Sequence, residues 1–142
     1  MVQNSVLAPI RETSNNQNNL NRSKITKILG AVTNDNAFFF YEEIDKPTGT
    51  LATDLFDLCS QISTVTSKCL VFHMNRGDFE NWIRDIIGDV ELANRIDKLK
   101  NNKMAWKRNT KLRNQLHATV RNRVMELQDL LYDDSSRQRR AH

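Results

Sequence analysis

The chain has 142 residues, of which 39% are hydrophobic and 27% charged, and its formal net charge is +4. That length and balance suit one water-soluble globular domain with a modest core and flanking tails. No apolar run approaches the roughly 20 residues of a bilayer-spanning helix, and no basic stretch leads into a long apolar segment at the N-terminus, so cytoplasmic residence is expected. Cys59 and Cys69 fit neither a zinc spacing nor a disulfide framework, which predicts two buried reduced thiols. The abundance of asparagine points to a mesophilic source.

Residues 1–22 are polar and include Asn15-Asn16-Gln17-Asn18-Asn19. Such a stretch cannot bury enough apolar surface to offset its ordering entropy, so it reads as a flexible tail. From Ser23 to Val32, Ile25, Ile28, Leu29 and Val32 fall on one face of a short helix. Ala37 to Ile44 is aromatic-rich and reads as a strand. Pro47-Thr48-Gly49 reads as a turn, with Thr50 capping a helix that carries Leu51, Leu55, Leu58, Cys59 and Ile62 on its inner face. Cys69 to Phe72 reads as a second strand. Strand, helix, strand in that order would allow a small parallel pair with a right-handed crossover.

The segment Phe72 to Ala93 holds the densest local grammar. Gly77 interrupts the chain before Asp78, which is expected to cap a helix, and Glu80 adds charge to its first turn. Phe79, Trp82, Ile83, Ile86 and Ile87 make an apolar stripe, Gly88 stops that helix, and Asp89 caps the next, with Leu92, Ala93, Ile96 and Leu99 facing inward. A helical hairpin follows.

These residues also resemble an uncharacterised family of small domains, found mainly in archaea. The matching elements are Phe38-Phe39-Phe40-Tyr41, Thr48-Gly49 with Ala52 and Leu55, then Phe72-His73, Arg76 to Glu80, Trp82-Ile83, and Gly88-Asp89 with Leu92-Ala93. The resemblance covers roughly residues 36 to 100. It implies a shared fold and carries no activity with it.

The last third changes charge. Residues 1–100 hold 11 Lys/Arg against 13 Asp/Glu, whereas residues 101–142 hold 10 against 4. Met104 to Tyr132 reads as one long helix with Leu112, Leu116, Val120, Val124, Leu127 and Leu131 as its apolar stripe. Lys107, Arg108, Lys111 and Arg121 gather on the opposite side, and Trp106 is placed to anchor the helix start. The fold class expected is mostly α, an α-rich α+β chain with a helical hairpin, a long C-terminal helix and two short strands at most. Residues 1–22 form a tail, 23–132 a single domain, and 133–142 a basic polar tail.

Function is less legible. The four glycines are isolated, so no phosphate-cradling loop exists, and His73, His117 and His142 are too far apart in sequence to suggest a metal site. No cofactor, metal or small-molecule ligand is expected. His73 with a nearby carboxylate is the one arrangement open to acid–base chemistry, and a hydrogen-bonded structural histidine is the simpler reading. The expectation is a non-enzymatic binding module acting through exposed helix surfaces on another protein or on a second copy. The residues that would carry it are Arg76 and Trp82 near the central motif, and Lys107, Arg108, Lys111 and Arg121 on the last helix. The alternative is association with nucleic acid through that basic helix and tail.

Overall fold

The computed structural model describes residues 22–102 and 109–140. The asparagine-rich segment, Met104, Trp106, Lys107, Arg108 and His142 lie outside that range. Helix α1 spans residues 22–29 and buries Ile25 and Ile28, and a short 3-10 turn at Asn34–Asn36 leads into the sheet. Strands β1 (Phe38–Glu43) and β2 (Lys46–Ala52) form an antiparallel hairpin that turns at Ile44-Asp45, where Asp45 takes a φ of 63°. Helices α2 (Leu55–Thr64), α3 (Ser67–Arg76) and α4 (Asp78–Trp82) follow. A π-turn at Ile83–Ile87 leads to α5 (Val90–Asn101), and α6 (Asn109–Arg140) closes the described chain. The α-rich α+β class is therefore correct.

Three local expectations are overturned. Cys69 to Phe72 is helix, because Thr66 caps α3 by accepting from the Cys69 amide at 3.2 Å and the buried set Cys69, Leu70, His73 and Met74 follows a helical period. A four-residue apolar run alone cannot distinguish the two states. The expected turn at Pro47-Thr48-Gly49 lies inside β2, which as an edge strand tolerates proline. Thr50 is consequently strand, and α2 starts later, capped by Asp54, whose carboxylate accepts from the Asp57 amide at 2.7 Å. With both strands consecutive, the pair is an antiparallel hairpin and no parallel crossover forms.

Both glycines of the central segment break the chain as expected. Gly77 and Gly88 both adopt left-handed φ values, 75° and 92°. Asp89 caps α5 by accepting from the Leu92 amide at 3.3 Å. Helix α6 buries Leu112, Leu116, Val120, Val124 and Leu127 in the common core with Phe40, Leu55, Leu58, Phe79 and Ile96. The apolar stripe of the last helix is thus covered by the chain's own helices as far as Leu127. Helix continues to Arg140, so the segment from 133 expected as a polar tail is helical for most of its length.

Two side chains fix α6 in register. Arg123 grips the buried Asp89 with both arms, Nε to Oδ2 at 2.8 Å and Nη2 to Oδ1 at 3.0 Å. Glu126 joins that pair to Arg95 of α5, with a 2.8 Å contact to Nη1. Ten residues earlier on α6, Arg113 donates to the Ile62 carbonyl at 2.7 Å, satisfying a C-terminal carbonyl of α2.

Arg123→Ala leaves Asp89 buried without its ion partner and is expected to lower stability by about 3 kcal/mol in urea unfolding. A loss under about 1 kcal/mol would show that solvent reaches Asp89 freely. At Gly88 a methyl group meets nothing within 4 Å, so Gly88→Ala isolates backbone strain. Its expected cost is about 1–2 kcal/mol.

Candidate functional site

The motif residues converge, but on one another. His73 lies on the buried face of α3, ringed by Phe38, Phe40, Phe72 and Phe79 at centroid distances of 4.8 to 6.0 Å. The Tyr41 amide of β1 donates to its Nε2 at 2.9 Å. Nε2 must therefore be unprotonated, which places the proton on Nδ1 and directs it to Asp78 Oδ2 at 2.8 Å. The same carboxylate oxygen accepts from Arg76 Nε at 3.1 Å, while the Arg76 guanidinium sits over the Phe72 ring at 5.1 Å. Contrary to the sequence expectation, Asp78 does not cap α4. It bridges His73 to Arg76, and its own helix starts from Gly77 without a side-chain cap.

This geometry suits structure better than catalysis. Both ring nitrogens of His73 are engaged, and burial holds its pKa below the ordinary histidine range despite the opposing pull of Asp78. Trp82 is core: it is buried, and its Nε1 donates to the Asn36 carbonyl at 2.7 Å. One edge of it still lines an open groove of about 440 Å³ along the outer side of β1, together with Phe39, Tyr41, Phe72 and Arg76. Arg76 in that groove is paired with Asp78, and Asp45 adds a second carboxylate, so the lining is formally negative. Glu80 is 4% exposed, and neither carboxylate oxygen has a hydrogen-bond partner. Burial raises its pKa, opposed by its own backbone amide and by Lys100 and reinforced by Asp97.

The second concave face forms where α2 and α6 meet. The two helices run antiparallel, with Arg113 beside Ile62 and the Cys59 thiol 4.0 Å from the His117 carbonyl. Their outer ridges leave an open furrow of about 530 Å³. Helix α2 contributes Phe56, Cys59, Ser60 and Ser63, spaced at three, four and seven residues from Phe56. Helix α6 contributes His117, Arg121, Val124 and Met125, with Gln128 completing its line. Phe56 and Met125 are 43% and 46% exposed, two apolar side chains that face solvent on this side of the core. Burial pushes the Cys59 thiol pKa up, partly countered by the charge of Arg121.

The predicted basic face is divided by this packing. Lys111 and Arg121 are exposed on α6 as expected, whereas Lys107 and Arg108 lie outside the described residues. Sequence reasoning missed Arg113 and Arg123, which face inward and hold the fold together. It also missed Phe56 and Met125. Met125 follows Arg121 by one helical turn, a spacing that could have found it, but the stripe of Leu and Val next to it dominated the pattern.

Lowering the pH below about 6.5 is expected to weaken the fold through His73. The unfolded chain takes up a proton at its ordinary pKa while the folded imidazole resists, so stability falls until the depressed folded pKa is reached. The slope of stability against pH between 6.5 and 5 should be shallower in His73→Gln than in the wild type. In imidazole nitrogen spectra, wild-type His73 should remain an Nδ1–H tautomer at pH 7. Equal slopes would place His73 in solvent.

Neither a curated protein nor a solved structure matches the chain significantly. A family model matches residues 17–121, well over half of the sequence, and takes in the central motif, both strands and the first part of α6. The chain belongs to this family, described as a family of unknown function (DUF5752).

Proposed function

We propose that this chain is a non-enzymatic binding module that engages a partner protein through the face shared by α2 and α6. The observation that carries the proposal is Arg121. Its guanidinium is exposed, makes no hydrogen bond or ion pair among the described residues, and stands beside the exposed apolar groups of Phe56 and Met125. A solvent-facing cation next to exposed aromatic and thioether groups has the composition of a protein interface, in which aromatic residues, Met and Arg are enriched.

Three observations weigh against other roles. The histidine best placed for acid–base work has both nitrogens in internal hydrogen bonds. Of the four Lys and Arg residues between 111 and 123, Arg113 and Arg123 are committed to internal partners, which thins the positive face that nucleic acid would need. Among the described residues no helix is long and apolar enough to cross a membrane. With two unpaired cysteines, one of them buried, a reducing cytoplasmic setting fits this reading.

Purification of the tagged chain from its own cells should bring down a protein partner that is lost with Phe56→Ser/Met125→Ser. The melting temperature of that double variant should stay within a few degrees of the wild type. Equal recovery by both proteins would sink the proposal. So would retention on generic DNA or RNA that weakens steeply with salt and disappears in Lys111→Ala/Arg121→Ala.

A further inference from the structure

We infer that the furrow between α2 and α6 takes an acidic amphipathic helix of the partner, its apolar face on Phe56 and Met125 and a carboxylate against Arg121. This rests on the binding-module reading above and adds the chemistry of the occupant.

Shape argues first. Two antiparallel helices present parallel ridges, and a third helix packs into such a furrow by the same interlocking that joins helices within a core. The exposed length of α2, ten residues, corresponds to about 15 Å. An occupant of three to four turns spans it, with apolar residues recurring at three and four.

Composition argues second. The floor is apolar, with Cys59 and Val124 beneath Phe56 and Met125, and the rim carries the uncharged groups of Ser60, Ser63, Thr64 and Gln128. A helix satisfies its own backbone, so hydroxyl and amide rims suffice for its polar flanks, and the unbranched thioether of Met125 adapts to varied apolar side chains. The open groove along β1 is apolar too, but its Arg76 is already held by Asp78, Asp45 adds a second carboxylate, and one amide of its strand is taken by His73.

Charge argues third. Arg121 is the sole fully charged group lining the furrow, and no carboxylate lines it. An acidic helix therefore meets attraction and no like charge, whereas a basic helix meets repulsion from Arg121 without compensation.

Selection of random 16-residue peptides displayed on phage against the full chain tests the inference. Enriched sequences should combine a helical apolar period with Asp or Glu beside it. The best of them, made synthetically, should bind Arg121→Glu at least tenfold more weakly than wild type. Selection repeated on Arg121→Glu should enrich Lys or Arg at the same place. In amide spectra the peptide should shift residues around Phe56 and Met125. No enrichment, enrichment of non-helical or basic sequences on the wild type, or an unchanged affinity for Arg121→Glu overturns the occupant. If a native partner is nevertheless lost with Phe56→Ser/Met125→Ser, the face stands as a docking surface and its occupant is of another kind.

Discussion

The two-armed ion pair between Asp89 and Arg123 sets the geometry on which everything else rests. Asp89 serves twice, capping α5 through the Leu92 amide and receiving both guanidinium arms from α6. A carboxylate buried to 2% exposure is costly unless its lone pairs are filled, and here α6 fills them. The long helix is thereby locked in rotation as well as position. That rotation turns Leu112, Leu116, Val120 and Val124 inward, and it sends Arg121 and Met125 outward beside α2. Arg113 secures the same register at the other end by closing the last turn of α2. The proposed docking furrow is a consequence of these two anchors, since its two walls belong to helices far apart in sequence.

The segment around His73 performs a comparable task for the sheet. A two-stranded hairpin is only marginally stable alone. Here β1 is held by the aromatic cluster and by one hydrogen bond from the Tyr41 amide to His73, which Asp78 orients. The same contact fills an outward-facing donor of the strand edge. Read in a line, His73 with a nearby carboxylate leaves acid–base chemistry open. In space the polar residues there neutralise one another, and the residue with acid–base potential becomes the joint between sheet and helices.

Much of this could be read without coordinates. The glycines at 77 and 88 break the chain where left-handed backbone is needed, Asp89 caps α5, and the spacing of apolar residues on α5 and α6 names the buried faces. Those features are local, fixed by backbone sterics and by periods of three and four residues. The errors also have local causes. Cys69 to Phe72 is too short a run to separate strand from helix, and Pro47-Thr48-Gly49 has turn chemistry in a stretch that pairing with β1 turns into strand. Asp78 satisfies every sequence rule for a cap, yet His73 and Arg76 compete for its carboxylate and win, because α3 brings them within 3.1 Å.

Charge shows the boundary most clearly. The sequence by itself determined that the last helix is basic on one side and apolar on the other. Only the tertiary structure decided which cations are internal ties and which face solvent. Arg113, Arg121 and Arg123 differ little as letters on a helix, and their roles depend on Ile62, Asp89 and Phe56, residues 34 to 65 positions away. Long-range partners of that kind leave no periodic trace in the chain, so the furrow around Arg121 comes into view only when α2 and α6 are packed together.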